Sequence, residues 1–450
     1  MFFLGSARDQ PVFSDPESHL LVLGPPRSGK TSSIVIPGVV AHDGPVVVTS
    51  TKLDVLFATE SIRSRAGQSW IVDPCGKIPT PPGVRRLRWS FVDAADSLDS
   101  AVVLADGVVD TSLGPTHGSS RHWSERSKAL LAPLLRAANL AGMEIGDVVR
   151  WVDTRDLGEP SAILHGGGEY RASDIIGGIS QSDPRELSAI FSSVSGALGS
   201  YRSEAALELG EASNFSPDAF VRTHDTIYVV SPASVQSTVA PIVVSLIDQI
   251  RAASYRAQSN GVVERRRNVA LILDEMANIA PLTSLSSILS EGASQGISVL
   301  GALQDLTQAE RRWPQEYRGF LTLFGTTLVL GGIADTRTLR QLSELSGQHQ
   351  RVELSYTFGD PGSRLSARFK RRPAVHVRSV SEQNFDLDAI AHLSRGEAMV
   401  LEPRTGARLI SLHAWHSRGP GGLAPADDLE IQRSSTRRDA MGRRWRQIGR

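Results

Sequence analysis

Residues 24 to 31 read Gly24-Pro25-Pro26-Arg27-Ser28-Gly29-Lys30-Thr31 and satisfy the phosphate-loop pattern G-x-x-x-x-G-K-[ST] at every fixed position. The stretch constrains the fold because such a loop works only between a buried strand and the first turn of a helix. Both flanks comply: His19 to Leu23 is an apolar run of strand length, and Ser32 to Val40 reads as a helix opening. Gly24 and Gly29 allow a tight turn with N–H groups aimed inward at a polyphosphate, beside the partial positive charge of a helix N-terminus. Lys30 is then expected to reach the β and γ phosphates, and the Thr31 hydroxyl to hold Mg2+. The whole segment Gly24, Pro25, Pro26, Arg27, Ser28, Gly29, Lys30, Thr31 and Ser32 is the candidate nucleotide cradle.

A second motif answers the first. Val269-Ala270-Leu271-Ile272-Leu273 is an apolar strand that delivers Asp274 and Glu275 at its carboxyl end. There Asp274 would support the metal and Glu275 would orient water. A strand-end pair of acids facing solvent is the plain alternative, weakened by the intact phosphate loop. Ile297 to Leu303 is another buried strand and ends on Gln304, either a polar strand terminus or a sensor of the γ-phosphate.

Further strands are expected at Pro45 to Thr49, Trp70 to Val72, Thr226 to Val230 and Thr326 to Gly332. Leu53 to Arg65 has helical length, so the first two of these share the spacing of a parallel βαβ unit. Ala398 to Leu401 and Arg408 to His413 are expected to close the sheet edge as a hairpin. From about Asp96 the character changes. Trp123 to Met143, Asp147 to Trp151 and Arg185 to Leu198 have helical periodicity, and no convincing strand interrupts them. A helix from Val239 to Ala253 leads to a charged loop at Glu264 to Arg267. The expected fold is α/β, a mostly parallel central sheet with an inserted all-α domain. The expected division is 1–95 and 214–416 for the nucleotide-binding domain, 96–213 for the insertion and 417–450 for a basic, disordered tail.

Composition removes other classes. At 450 residues, 40% hydrophobic and 21% charged, the chain has room for two or three domains. It has no apolar run of 18 residues, and Met1-Phe2-Phe3-Leu4 is too short for a signal peptide or a span. The single cysteine, Cys75, excludes an internal disulfide and reads as a small core residue of a cytoplasmic protein. Lysines plus arginines equal acids at 48 each, yet the last 18 residues carry seven arginines against Asp439 alone. Between Asp360 and Glu382 there are six Lys/Arg and no acid. Either stretch is a solvated loop or an arm for phosphates; the tail also suits an anionic membrane surface.

The phosphate loop, Val46-Val47-Val48-Thr49-Ser50-Thr51-Lys52, Asp274-Glu275-Met276-Ala277-Asn278-Ile279 and Gln304-Asp305-Leu306, in this order, resemble the coupling-protein ATPases of conjugation and type IV secretion. The similarity runs from about 18 to 415 and takes in His122-Trp123 and the Ala/Leu helix after it. The resemblance implies a RecA-like P-loop ATPase using ATP and Mg2+, with Lys30, Glu275 and Gln304 in catalysis and Thr31 and Asp274 at the metal. It implies a homo-hexamer that takes DNA, single-stranded with its relaxase and without sequence preference, to secretion-channel or membrane-anchoring proteins. Two departures stand out. Members usually carry transmembrane helices before the nucleotide domain, whereas 23 residues precede Gly24. Recruitment to the cytoplasmic face of the plasma membrane by a partner, or work as a soluble relative, is therefore expected. Many relatives also place a trans-acting arginine where this chain has Glu291-Gly292-Ala293-Ser294-Gln295-Gly296, which leaves Arg311, Arg312, Arg337 and Arg340 as candidates. Lys52 is either a site residue or a surface lysine. The rivals are a septal-type double-strand DNA translocase, disfavoured by the large insertion, and a non-hydrolysing adaptor that uses bound ATP for docking.

Overall fold

Short runs of aliphatic and β-branched residues, buried on both faces, form the spine of the computed structural model, which describes residues 1–8, 10–114, 119–261, 268–357 and 374–415. The loop at Glu264 to Arg267, most of the basic stretch between Asp360 and Glu382, and the tail beyond Ser417 lie outside the described residues.

The strands in chain order are β1 (Phe3–Ala7), β2 (Gln10–Phe13), β3 (His19–Leu23), β4 (Val46–Ser50), β5 (Ser69–Val72), β6 (Val84–Arg86) and β7 (Thr226–Val230). They continue with β8 (Val269–Leu273), β9 (Ile297–Leu303), β10 (Gly325–Leu330), β11 (Gln348–Thr357), β12 (Ala374–Gln383), β13 (Glu397–Glu402) and β14 (Gly406–Ser411). Twelve of them make one sheet in the order β2-β1-β14-β13-β10-β3-β9-β8-β4-β7-β5-β6, and β11 pairs with β12 separately. From β10 to β6 every neighbour is parallel; the β13–β14 hairpin and β1–β2 add antiparallel strands at one side. The protein is therefore α/β with a mostly parallel sheet, as the motif order implies.

Alternation along each strand sorts side chains onto two cores. Leu21, Leu23, Val47, Leu271 and Leu273 face one layer; Leu20, Val22, Val46, Val48 and Ile272 face the other. The second layer is covered by α1 (Ile36–Ala41) and α2 (Asp54–Arg63), through residues such as Val39 and Leu56.

Two expectations need correction. The β13–β14 hairpin does not close the sheet edge, because β1 and β2 lie outside it; Phe2, Phe3 and Leu4 bury there, so this apolar opening of the chain is used as strand. Trp70 to Val72 is also not the neighbour of β4: β7 comes between them. All five residues of β7 are buried, as suits an interior strand of a parallel sheet covered on both faces.

Between β6 and β7 the described residues form helices and no strand: α3 (Leu98–Leu113), α4 (Ser119–Leu140), α5 (Ile145–Thr154), α6 (Gly158–Gly166), α7 (Tyr170–Ser180), α8 (Pro184–Ala197), α9 (Glu204–Leu209) and α10 (Pro217–Phe220). A reciprocal serine pair starts α3, Ser97 Oγ accepting from the Ser100 N–H and Ser100 Oγ from the Ser97 N–H (3.1 and 3.0 Å). Helix α4 carries Leu130, Leu131, Leu134, Leu135 and Ala138 into a core centred on Trp151 and Tyr201. The first layer of the sheet is continuous with that core through α11 (Gln236–Ser259). Downstream come α12 (Met276–Ile279), α13 (Leu285–Glu291), α14 (Leu306–Arg312), α15 (Phe320–Phe324), α16 (Thr336–Leu345) and α17 (Leu387–Ala391).

His19, at the start of β3, is 2% exposed, and its Nδ1 accepts from the Val299 N–H at 3.0 Å. Burial, partly opposed by the Leu289 backbone, pulls its pKa from 6.5 to about 4. The folded state thus prefers the neutral ring. Its contribution is complete above pH 6.5 and is lost as pH falls from there through about 4, on the order of 3 kcal/mol. Denaturant unfolding of His19→Gln should therefore depend less steeply on pH across this window than the parent. Parallel curves would show that His19 does not carry the effect.

Candidate nucleotide site

Strand β3 sits between β10 and β9, and the loop that leaves its end is tied to the second of these by the Gly24 N–H donating to the Leu303 carbonyl (3.1 Å). A side chain would be crowded at Gly24 and strained by the backbone angle at Gly29. A Cβ on Gly24 would lie 2.8 Å from Ser28 Oγ and 3.0 Å from Leu330 Cβ, while Gly29 has φ +99°. Arg27 is left-handed at φ 67°. After the loop, residues Thr31–Val35 form a π turn, with the Ile36 N–H bonded to the Thr31 carbonyl, before α1 takes over. Pro37 explains the widened turn, since it has no N–H to donate to the preceding turn.

Lys30 is 8% exposed, and its ammonium donates to the carbonyls of Gly24 (2.5 Å) and Pro25 (3.0 Å). Two of its three N–H bonds are so used, which leaves one for an anion. Burial pulls its pKa down, opposed by Asp274 and Glu275. Ser28 Oγ is buried and has no hydrogen-bond partner among the described residues, whereas Ser32 Oγ donates to the Gly29 carbonyl (3.4 Å). A phosphate oxygen would satisfy Ser28. Pro26 and Arg27 are exposed on the loop's outer side.

The phosphate loop meets the acid pair directly. Thr31 Oγ1 donates to Asp274 Oδ2 at 3.0 Å, and Thr49 Oγ1, from the end of β4, donates to the Asp274 carbonyl at 2.7 Å. Asp274 is 8% exposed; burial raises its pKa, while the Thr31 bond and Lys30 pull it down. Two oxygen ligands thus converge beside the cradle, a donor set that suits Mg2+. Glu275 takes left-handed φ 56°, ψ 44°, which costs a non-glycine residue roughly 1–3 kcal/mol and swings its side chain away from the line of β8. Gln304 follows β9 on the same carboxyl edge, its N–H donating to Gln308 Oε1 (2.9 Å).

Other candidates separate. Lys52 is exposed, and its N–H donates to Ser50 Oγ (3.3 Å). Arg312 is turned inward, Nη2 donating to the Thr111 carbonyl of α3 (3.2 Å), whereas Arg311 and Arg340 are exposed and Arg337 reaches Glu310 at 3.9 Å. Cys75 is half-buried rather than a core residue, and burial pushes its thiol pKa up, away from the reactive thiolate. Sequence reasoning placed Thr49 and Asn278 within motifs but gave them no role, and it missed Gly301. A Cβ on Gly301 would lie 2.7 Å from Met276 Sδ, so this glycine admits α12 onto β9.

Among the described residues no helix is long and apolar enough to cross a membrane. Comparison with curated proteins gives no match. Solved structures do match. A bacterial conjugative coupling protein, TrwBdeltaN70 in an unbound monoclinic form, has a TM-score of 0.69 at 18% identity, covering 94% of this chain and 90% of its own. The plasmid coupling protein TrwB in complex with ADP and Mg2+ gives 0.66 at 17%, covering 91% and 87%. VirB4 of Thermoanaerobacter pseudethanolicus gives 0.50 at 13%, covering 92% and 96%. At these identities the likeness is one of fold, that of a RecA-like P-loop NTPase. The model of the family described as type IV secretory system conjugative DNA transfer matches residues 3–401, and the chain belongs to that family.

Proposed function

We propose that this chain binds ATP with Mg2+ and hydrolyses it to move DNA, or DNA with a bound protein, toward a conjugation or type IV secretion channel. The observation that carries this reading is the meeting of Thr31 with Asp274 beside the buried Lys30 and the unpartnered Ser28 hydroxyl. A structural relative described with ADP and Mg2+ supports the ligand choice. The loop N–H groups and Lys30 hold the phosphates, and Thr31 and Asp274 would hold Mg2+, which supplies charge neutralisation. Glu275 orients a water whose oxygen attacks the γ phosphorus. The bond to the β–γ bridging oxygen breaks with its electron pair left on ADP, and the water proton passes to Glu275 and then to the phosphate product. Gln304 reports the γ-phosphate to β9.

In this reading residues 1–95 and 214–416 form the motor, 96–213 is an inserted all-helical domain, and 417–450 contacts phosphates or an anionic membrane. The motor acts at the cytoplasmic face of the membrane through partner proteins and assembles as a homo-hexamer around single-stranded DNA bound without sequence preference. Its sites lie at subunit boundaries, with Arg311, Arg340 or Arg337, the last on leaving Glu310, reaching across; Arg312 is turned inward to the Thr111 carbonyl. ATP should then promote rings, and turnover should rise more than linearly with protein concentration. A fully active monomer by light scattering, with ATP and DNA at micromolar protein, would contradict the assembly.

A further inference from the structure

Glu275 is restrained from several directions. Its left-handed backbone is fixed by the Asn278 and Ile279 N–H groups, which donate to the Glu275 carbonyl (2.9 and 3.0 Å), and by Thr49 on the carbonyl before it. Met276, the next residue, is fully buried against the bare Cα of Gly301. With the backbone held, only the side-chain torsions of Glu275 remain. Those are held by Asn278, whose Nδ2 donates to Glu275 Oε2 at 3.2 Å. Asn278 is exposed, at the third position of the single-turn α12, so its amide does little for the core.

We propose that Asn278 is a positioning residue: its amide pins one oxygen of Glu275 and so presents the other to the attacking water. The inference rests on the reading of Glu275 as the group that orients that water. A carboxylate free to rotate would spend much of its time misaligned, and small misplacements of a catalytic group cost rate rather than binding. A purely structural asparagine would instead affect stability.

The test uses the full chain with Mg2+ and ATP. Asn278→Ala and the similarly shaped Asn278→Leu should lower kcat about tenfold, with KM for ATP within about twofold of the parent and an unchanged unfolding midpoint. Asn278→Asp, which keeps the shape but replaces the donor with a like charge beside Glu275, should lower kcat at least as far as Asn278→Ala. In single turnovers, adding Asn278→Ala to Glu275→Gln should cost nothing further, because both changes act through one group. A kcat of Asn278→Ala within about twofold of the parent, a kcat loss matched by a lower unfolding midpoint, or a full further loss in the double variant would overturn the proposal. Parental turnover in Glu275→Gln would overturn the reading of Glu275 itself, and this proposal with it. A dead Glu275→Gln beside an active Asn278→Ala would overturn this proposal alone.

Discussion

Glu275→Gln is expected to bind ATP as tightly as the parent and to turn it over at least about a hundredfold more slowly. The amide keeps the shape of the side chain but lacks the basic carboxylate oxygen that accepts the proton of the attacking water. Lys30→Ala should fail one step earlier. Removing the ammonium takes away the loop's charge-assisted bond to the phosphates, so affinity should fall roughly ten- to a hundredfold. Titration calorimetry with ATP, paired with single-turnover hydrolysis, separates the two defects: one variant binds without turnover, the other binds poorly. Parental turnover in Glu275→Gln would remove that carboxylate from the mechanism, and parental affinity in Lys30→Ala would remove the loop.

The largest expected effect on stability lies away from the site, at Arg63 in the last turn of α2. Its guanidinium is 5% exposed and donates to Thr226 Oγ1 (2.8 Å) and to the carbonyls of His42 (2.6 Å), Gly44 (2.7 Å) and His224 (2.8 Å). One side chain thus fastens α2 to the segments that enter β4 and β7, and β4 carries Thr49 near its far end. Burial works against the charge, which Tyr228, Asp43 and Asp225 support. Arg63→Ala would leave those acceptors without their donor, at a cost of about 3–5 kcal/mol. Arg63→Lys should recover less than half of it, because an ammonium cannot reproduce the planar fork. Urea unfolding measures both, and a midpoint for Arg63→Ala equal to the parent's would contradict this role.

The parallel core was legible because its strands bury both faces and read as unbroken aliphatic runs, as in Val269 to Leu273 and Ile297 to Leu303. The phosphate loop and the acid pair were legible because their chemistry allows little substitution. The position of β7 was not, since nothing in a strand's own residues names its neighbours. Strand β6, Val84–Arg86, is too short to show a period. Helices α6 and α7 were missed because glycine and serine dilute their apolar stripe. Nothing in the sequence sets Arg63 apart from an ordinary cation at a helix C-terminus, since only the tertiary structure shows the carbonyls around it. The left-handed backbone of Glu275 was hidden for a related reason: a glutamate carries no signal for positive φ, whereas Gly29 does. Of the four arginines named as candidates to act across a subunit boundary, Arg312 turns inward to the Thr111 carbonyl, which only the tertiary structure could show.

The central claim is that the cradle of Lys30, Thr31, Asp274 and Glu275 hydrolyses ATP in the service of DNA transfer. Steady-state phosphate release by the full chain with Mg2+ and ATP, measured alone and with single- or double-stranded DNA, tests it most directly. The account predicts turnover that DNA raises, single-stranded DNA more than duplex, and that Glu275→Gln abolishes. ATP that binds tightly and is never hydrolysed, with or without DNA, would contradict it and favour a docking adaptor instead.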